Sequence, residues 1–155
     1  MALDGVLFVP YRETLDLLSI EDALQVCEDV YRMHARGTVH WSRPPSWKLD
    51  VGEPWHNHWH VKGAFLEDIP TTGVRMYNYY DDGERNTVGR LECARYILLT
   101  DPETGHAKSI VEEHWAYAIR SIAAAVLPLK WLGPSNPKVL GLVGVGTMGM
   151  NALRC

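Results

Sequence analysis

Near its C-terminal end the 155-residue sequence carries Gly144-Val145-Gly146-Thr147-Met148-Gly149, a G-x-G-x-x-G pattern that follows directly on an apolar run at 139–143. In such a pattern the first glycine permits a tight turn and the second lets backbone approach a pyrophosphate. The third lets a helix pack closely on a strand. The helix that follows offers unpaired N–H groups and a positive dipole end to phosphate. The chemistry is dinucleotide binding, with Gly144, Gly146 and Gly149 as the cofactor-binding candidates. A complete βαβ unit takes about 30 residues, more than lie between Lys138 and Cys155. The acid that binds ribose, about 20 residues past the glycines, has no position here. The expectation is a Rossmann unit that is begun and truncated.

Two further groups could do chemistry. In "WHNHWHVK", His56, His58 and His60 alternate, so on a strand all three project from one face. Neutral imidazoles at that spacing suit zinc or another transition metal, with Glu53 or Glu67 completing a site. A metal-binding protein is therefore the rival reading. Amphipathic packing explains the same pattern, and no metal ligands are assigned. Arg120, in "AIRSIAAA", has Ala118, Ile119, Ile122 and Ala123 around it. A guanidinium at the edge of an apolar helix face calls for a partner, and a carboxylate is the one it pairs with bidentately.

These residues need elements to hold them. "SIEDALQVCEDVYRMHARG" predicts a helix, capped by Ser19, with acids at Glu21 and Asp22 and a stop at Gly37. Ile20, Ala23, Leu24, Cys27, Val30 and Tyr31 form its apolar face. Alternating runs predict strands near 38–41, 57–66 and 73–79, with turns at "IPTTG" and "YDDGERN". Leu91, Cys93 and residues 96–99, then "DPETG", then residues 107–111 predict a hairpin. A second helix is expected over about 112–131, with a kink or early end at Pro128. The fold class is α+β: an N-terminal helix, an antiparallel or mixed sheet and a second helix, ending in the first strand and glycine turn of a truncated Rossmann α/β unit. Residues 1–137 form a substrate-binding and dimerisation domain on this reading, and 138–155 the incomplete start of a nucleotide-binding one.

Composition narrows the partners. A net charge of −4 and a pI near 5.9 leave no basic footprint for nucleic acid. No apolar stretch is long enough to span a membrane, and the start "MALDGVLFVP" does not resemble a signal peptide. Three cysteines without metal-type spacing, two of them expected inside, fit a reducing cytoplasm.

Over "GVRMYNYY…NTVGRLECARYILLTDPETGHAKSIVEEHWAYAIRSIAAA" and "VLGLVGVGTMG", and more loosely from "LSIEDALQVCEDVYRMHARGTV" onward, the chain resembles the ornithine cyclodeaminase/mu-crystallin family. The resemblance implies an NAD- or NADP-dependent oxidoreductase or cyclodeaminase acting on an amino acid, a cyclic imine or a 2-oxo acid. It also implies a homodimer formed through this domain. Arg120 matches the family's carboxylate-binding helix arginine, with Ser121 where Thr is usual. Arg43, in "WSRPPSW", is similar to an earlier carboxylate-facing arginine. Arg75, in "GVRMYN", stands where the family commonly has Lys. Lys titrates when buried whereas Arg stays charged, so either Arg75 only binds carboxylate or Lys62 of "HVKGAF" takes the titrating role, and both are catalytic candidates. Asn86 and Thr87 match an Asn-Thr pair near the nicotinamide. The family's catalytic aspartate would lie beyond Cys155, so a non-catalytic, truncated dimerisation module is a further alternative.

Overall fold

The computed structural model describes residues 5–80 and 93–155. The elements run β1 (Leu7–Val9), α1 (Tyr11–Leu17), α2 (Ile20–Arg36), β2 (Val39–Trp41), β3 (Trp47–Val51), β4 (Asn57–Leu66), β5 (Thr71–Tyr80), β6 (Arg95–Thr100), β7 (Ala107–Glu112), α3 (His114–Val126), α4 (Leu129–Leu132) and α5 (Thr147–Ala152). The strands form one sheet in the order β1-β7-β6-β5-β4-β2, with β3 also pairing β4. Only β1 and β7 run parallel, so the sheet is mixed. The α+β class holds.

Local chemistry sets the frame. Ser19 Oγ accepts from the Asp22 N–H at 3.0 Å while Asp22 Oδ2 accepts from the Ser19 N–H at 3.1 Å, a reciprocal cap on α2. Gly37, at φ 82°, ends that helix in the left-handed conformation an L side chain resists. The apolar stripe of α2 packs on α3 around Ala23, Ile119 and Ala123, with Leu24, Cys27 and Trp115 closing the cluster. The helices lie on one face of the sheet. On the other, Phe8, Met76, Tyr96, Leu98 and Ile110 line a shallow apolar hollow open to solvent.

The second helix breaks at Pro128 into α3 and α4, as expected, because proline has no N–H to continue the ladder. Other expectations change. Residues 138–146 form no strand: no neighbouring strand among the described residues offers hydrogen bonds, and Val139, Leu140, Val143 and Val145 are exposed. Cys93 is buried as expected, whereas Cys27 is half-buried. The short elements β1, α1 and β3 were not foreseen. Seven residues or fewer hold too little periodicity to distinguish them from loop.

Candidate functional site

Three guanidinium groups meet around one phenol ring. Arg75 on β5 and Arg95 on β6 point to the helix side of the sheet, where α3 carries Tyr117 and Arg120. The Cζ atoms of Arg95, Arg120 and Arg75 lie 4.4, 4.9 and 5.3 Å from the Tyr117 ring centre. Arg75 also stacks on Tyr77 at 3.9 Å, and its Nε donates to Oε1 of Glu113 at 2.5 Å. Glu113 is buried, with a side chain 2% exposed, and stands at the N-cap of α3 without capping it. Its carboxylate turns to the sheet instead, where Arg75 holds it. The surrounding protein disfavours the charged form of Arg120 and pushes its pKa down. The Arg75 charge nearby adds to that shift, and Glu113 opposes it.

Sequence reasoning named Arg75 and Arg120 but passed over Glu113, Tyr117, Arg95, Tyr77 and Tyr79. The signal was there. Glu113, Tyr117 and Arg120 follow at steps of four and three residues, one face of a helix; Arg75, Tyr77 and Tyr79 alternate along a strand.

Lys62 is exposed on β4, directly across the ladder from Arg75. It therefore shares the patch, with no ion pair among the described residues. Arg43 lies in the exposed connector 42–46 at the same edge of β4, next to Ser42, whose N–H donates to the Gly63 carbonyl at 2.9 Å. Among the described residues, no hydrogen bond or ion pair joins Arg43 to the arginine cluster. Asn86 and Thr87 fall outside the described residues, as does the "YDDGERN" turn.

The histidine trio does not form. His56 precedes β4 with φ 48° and turns to Glu53, Nε2 to Oε2 at 3.0 Å. His58 and His60 do share a face and stack on Tyr79 and Tyr77 at 5.7 and 5.1 Å. No group of three or more metal-ligating side chains gathers among the described residues. The strand alternation failed because its first member is in a turn.

At the glycine turn, Gly144 has φ 98° and a Cβ on Gly149 would sit 2.0 Å from the Gly144 carbonyl oxygen, an impossible approach. A Cβ on Gly146, the N-cap of α5, would meet nothing within 4 Å. The first and third glycines are thus demanded by the chain's own geometry, and the middle one leaves its space open. α5 packs on α3.

The sequence pattern of the ornithine cyclodeaminase/mu-crystallin family matches residues 8–154. The chain belongs to that family. Among its relatives, the iminosuccinate reductase of Paracoccus denitrificans is 26% identical over 141 residues, 91% of this chain and 42% of the relative. The crystal structure of that enzyme in complex with NAD+ superposes with a TM-score of 0.83 over 96% of this family member and 45% of the other chain. The alanine dehydrogenase of Archaeoglobus fulgidus is 22% identical over 151 residues, covering 96% and 44% of the two chains. The Thermococcus litoralis Δ1-pyrroline-2-carboxylate reductase, solved with NADH and L-proline, shares the fold at a TM-score of 0.80 and 21% identity, covering 96% and 45%. The chain therefore spans less than half the length of these relatives. No helix among the described residues is long and apolar enough to cross a membrane.

Proposed function

We propose that this family member acts in an NAD(P)-dependent oxidoreductase on an amino acid or its imine, and that these residues supply the wall that holds the substrate. Family membership supports the reaction class, and the P. denitrificans relative was solved with NAD+. The observation that carries the reading is the convergence of Arg75 and Arg120 on Tyr117.

Arg120, exposed and flanked by an apolar helix face, is the group that meets the substrate carboxylate first. Arg75 keeps Nη2 without a hydrogen-bond partner while its Nε is held by Glu113. Glu113 thereby orients the guanidinium and leaves its Nη2 without an acceptor. Two fixed guanidiniums orient a carboxylate and so orient the carbon beside it. Lys62, across from Arg75 on the ladder, gives a proton to the nitrogen-bearing end of a substrate so held, and Arg43 adds a further guanidinium for the carboxylate. Residues 1–137 make the substrate-binding domain and 138–155 begin the nucleotide-binding one, where Gly144, Gly146 and Gly149 would meet the pyrophosphate, with Asn86 and Thr87 toward the nicotinamide. The nicotinamide, when bound, supplies or accepts the hydride.

The apolar sheet face supports a homodimer, in which a second copy covers Phe8 and Met76, 52% and 38% exposed.

Binding of L-amino acids in the presence of NAD+ tests the reading, followed by calorimetry on wild type and Arg120→Gln. Removing a charged hydrogen-bond partner costs about 1.5–3 kcal/mol, so affinity is expected to fall roughly 10- to 150-fold. An Arg120→Gln protein that binds as well as wild type would overturn the assignment.

A further inference from the structure

Arg95 is the anomaly of this fold. It sits on β6 opposite Tyr77 of β5 and is 1% exposed. Its Nε, Nη1 and Nη2 are all buried without a hydrogen-bond partner. A guanidinium has five N–H donors and no acceptor, and an unpaired buried charge costs several kcal/mol. Rings stand near it, Tyr117 at 4.4 Å, Tyr77 at 5.5 Å and Tyr79 at 5.6 Å. Their faces attract the cation electrostatically, yet they offer no lone pairs to its N–H groups. What the residue lacks is an anion.

The charge count points the same way. Arg75, Arg95 and Arg120 bring three positive charges to the Tyr117 ring. Among the described residues, Glu113 is the one carboxylate bonded to any of them. That leaves an excess of two. An α-carboxylate on Arg75 and Arg120 removes one of these, and the partnerless Arg95 remains.

We infer that the substrate carries a second carboxylate, which pairs with Arg95. The inference rests on the amino-acid reading above and narrows its substrate to the amino or imino dicarboxylic acids. The three guanidiniums are graded in depth: Arg120 is exposed, the Arg75 side chain is 18% exposed, and Arg95 is closed off. All three lie against the same ring, so their spacing suits a short chain with an acid at each end, which reaches Arg95 when the rings that cover it turn aside. A planar carboxylate also fits the fork of Arg95 better than a point acceptor does.

The test is calorimetry with NAD+ present, comparing L-aspartate with L-2-aminobutyrate. The two ligands have the same number of carbons, with a methyl in place of the second acid. Wild type is expected to bind aspartate at least tenfold more tightly. Arg95→Gln is expected to erase that preference and keep the aminobutyrate affinity. Equal binding of the two by wild type, or a preference that survives in Arg95→Gln, overturns the dicarboxylate inference and leaves the amino-acid reading intact. Binding of neither ligand sinks both. A separate measurement guards against a purely structural Arg95. Without ligand, Arg95→Met is expected to melt at or above the wild-type temperature, because it removes an unpaired charge. A melting temperature well below wild type, or failure of the variant to fold, shows that the tyrosines hold Arg95 for stability and overturns the inference.

Discussion

Arg75 on β5 reaches across to the start of α3 and is held there by Glu113, whose carboxylate accepts from the guanidinium Nε with both oxygens. The pair joins the sheet to the helix that carries Tyr117 and Arg120. It is the clasp on which the geometry of the cluster depends.

Breaking this clasp from one side is expected to be costly. Glu113→Ala leaves Arg75 beside Arg95 and Arg120 with no compensating carboxylate, and loss of one partner of a buried pair costs about 3–5 kcal/mol. Urea denaturation checks this as a lowered midpoint. The double variant Arg75→Met/Glu113→Leu is expected to be more stable than Glu113→Ala, since it leaves no stranded charge.

Stability is expected to fall on mild acidification. Burial holds the pKa of His60 below its ordinary value of 6.5, and the positive charges of Lys48, His58 and Lys62 add to the effect while Asp50 opposes it. The unfolded chain then takes up a proton near pH 6.5 that the folded chain resists. Stability therefore rises with pH through that window, is fully present above 6.5, and is lost as pH falls below it toward the folded value. Denaturation midpoints between pH 5 and 7.5 are expected to show this slope, and His60→Gln to flatten it. An identical slope in the variant would sink the assignment.

The glycines are expected to separate into two kinds. Gly149→Ala forces a methyl onto the Gly144 carbonyl and should loosen the turn and the packing of α5 on α3, read as faster amide exchange at both helices. Gly146→Ala meets open space and should leave exchange unchanged, while lowering NADH affinity where the pyrophosphate needs close backbone approach.

The proposed homodimer predicts a sharp response on the open face. Met76→Asp places a charge in the hollow lined by Phe8, Tyr96, Leu98 and Ile110, and a buried unpaired carboxylate is not tolerated there. Sedimentation is expected to show a dimer for wild type and a monomer for the variant. A monomeric wild type at tens of micromolar would rule out this use of the face.

Much of the frame was legible in the sequence because it rests on short-range rules. The cap at Ser19, the stop at Gly37, the alternation of β4 and β5 and the break at Pro128 each follow from residues within a few positions of one another. The family was legible for the same reason, from motifs such as D-x-x-T-G, in which Asp101 Oδ1 accepts from the Thr104 N–H at 2.9 Å. Even the glycine turn declares its geometry locally.

The arginine cluster was only partly legible, since what makes it a site is distance between residues far apart in the chain. Periodicity says which face a side chain takes on its own element. It does not say that the face of β5 bearing Arg75 meets the face of α3 bearing Glu113, nor that Arg95 is sealed beside them without an acceptor. Those facts arise when sheet and helices close on each other and remove water, so that a charge which any exposed arginine carries at little cost becomes one that needs a partner. Sequence determined the longer helices and strands, the family and two of the three arginines; tertiary packing decided which charges meet and which one is left unanswered.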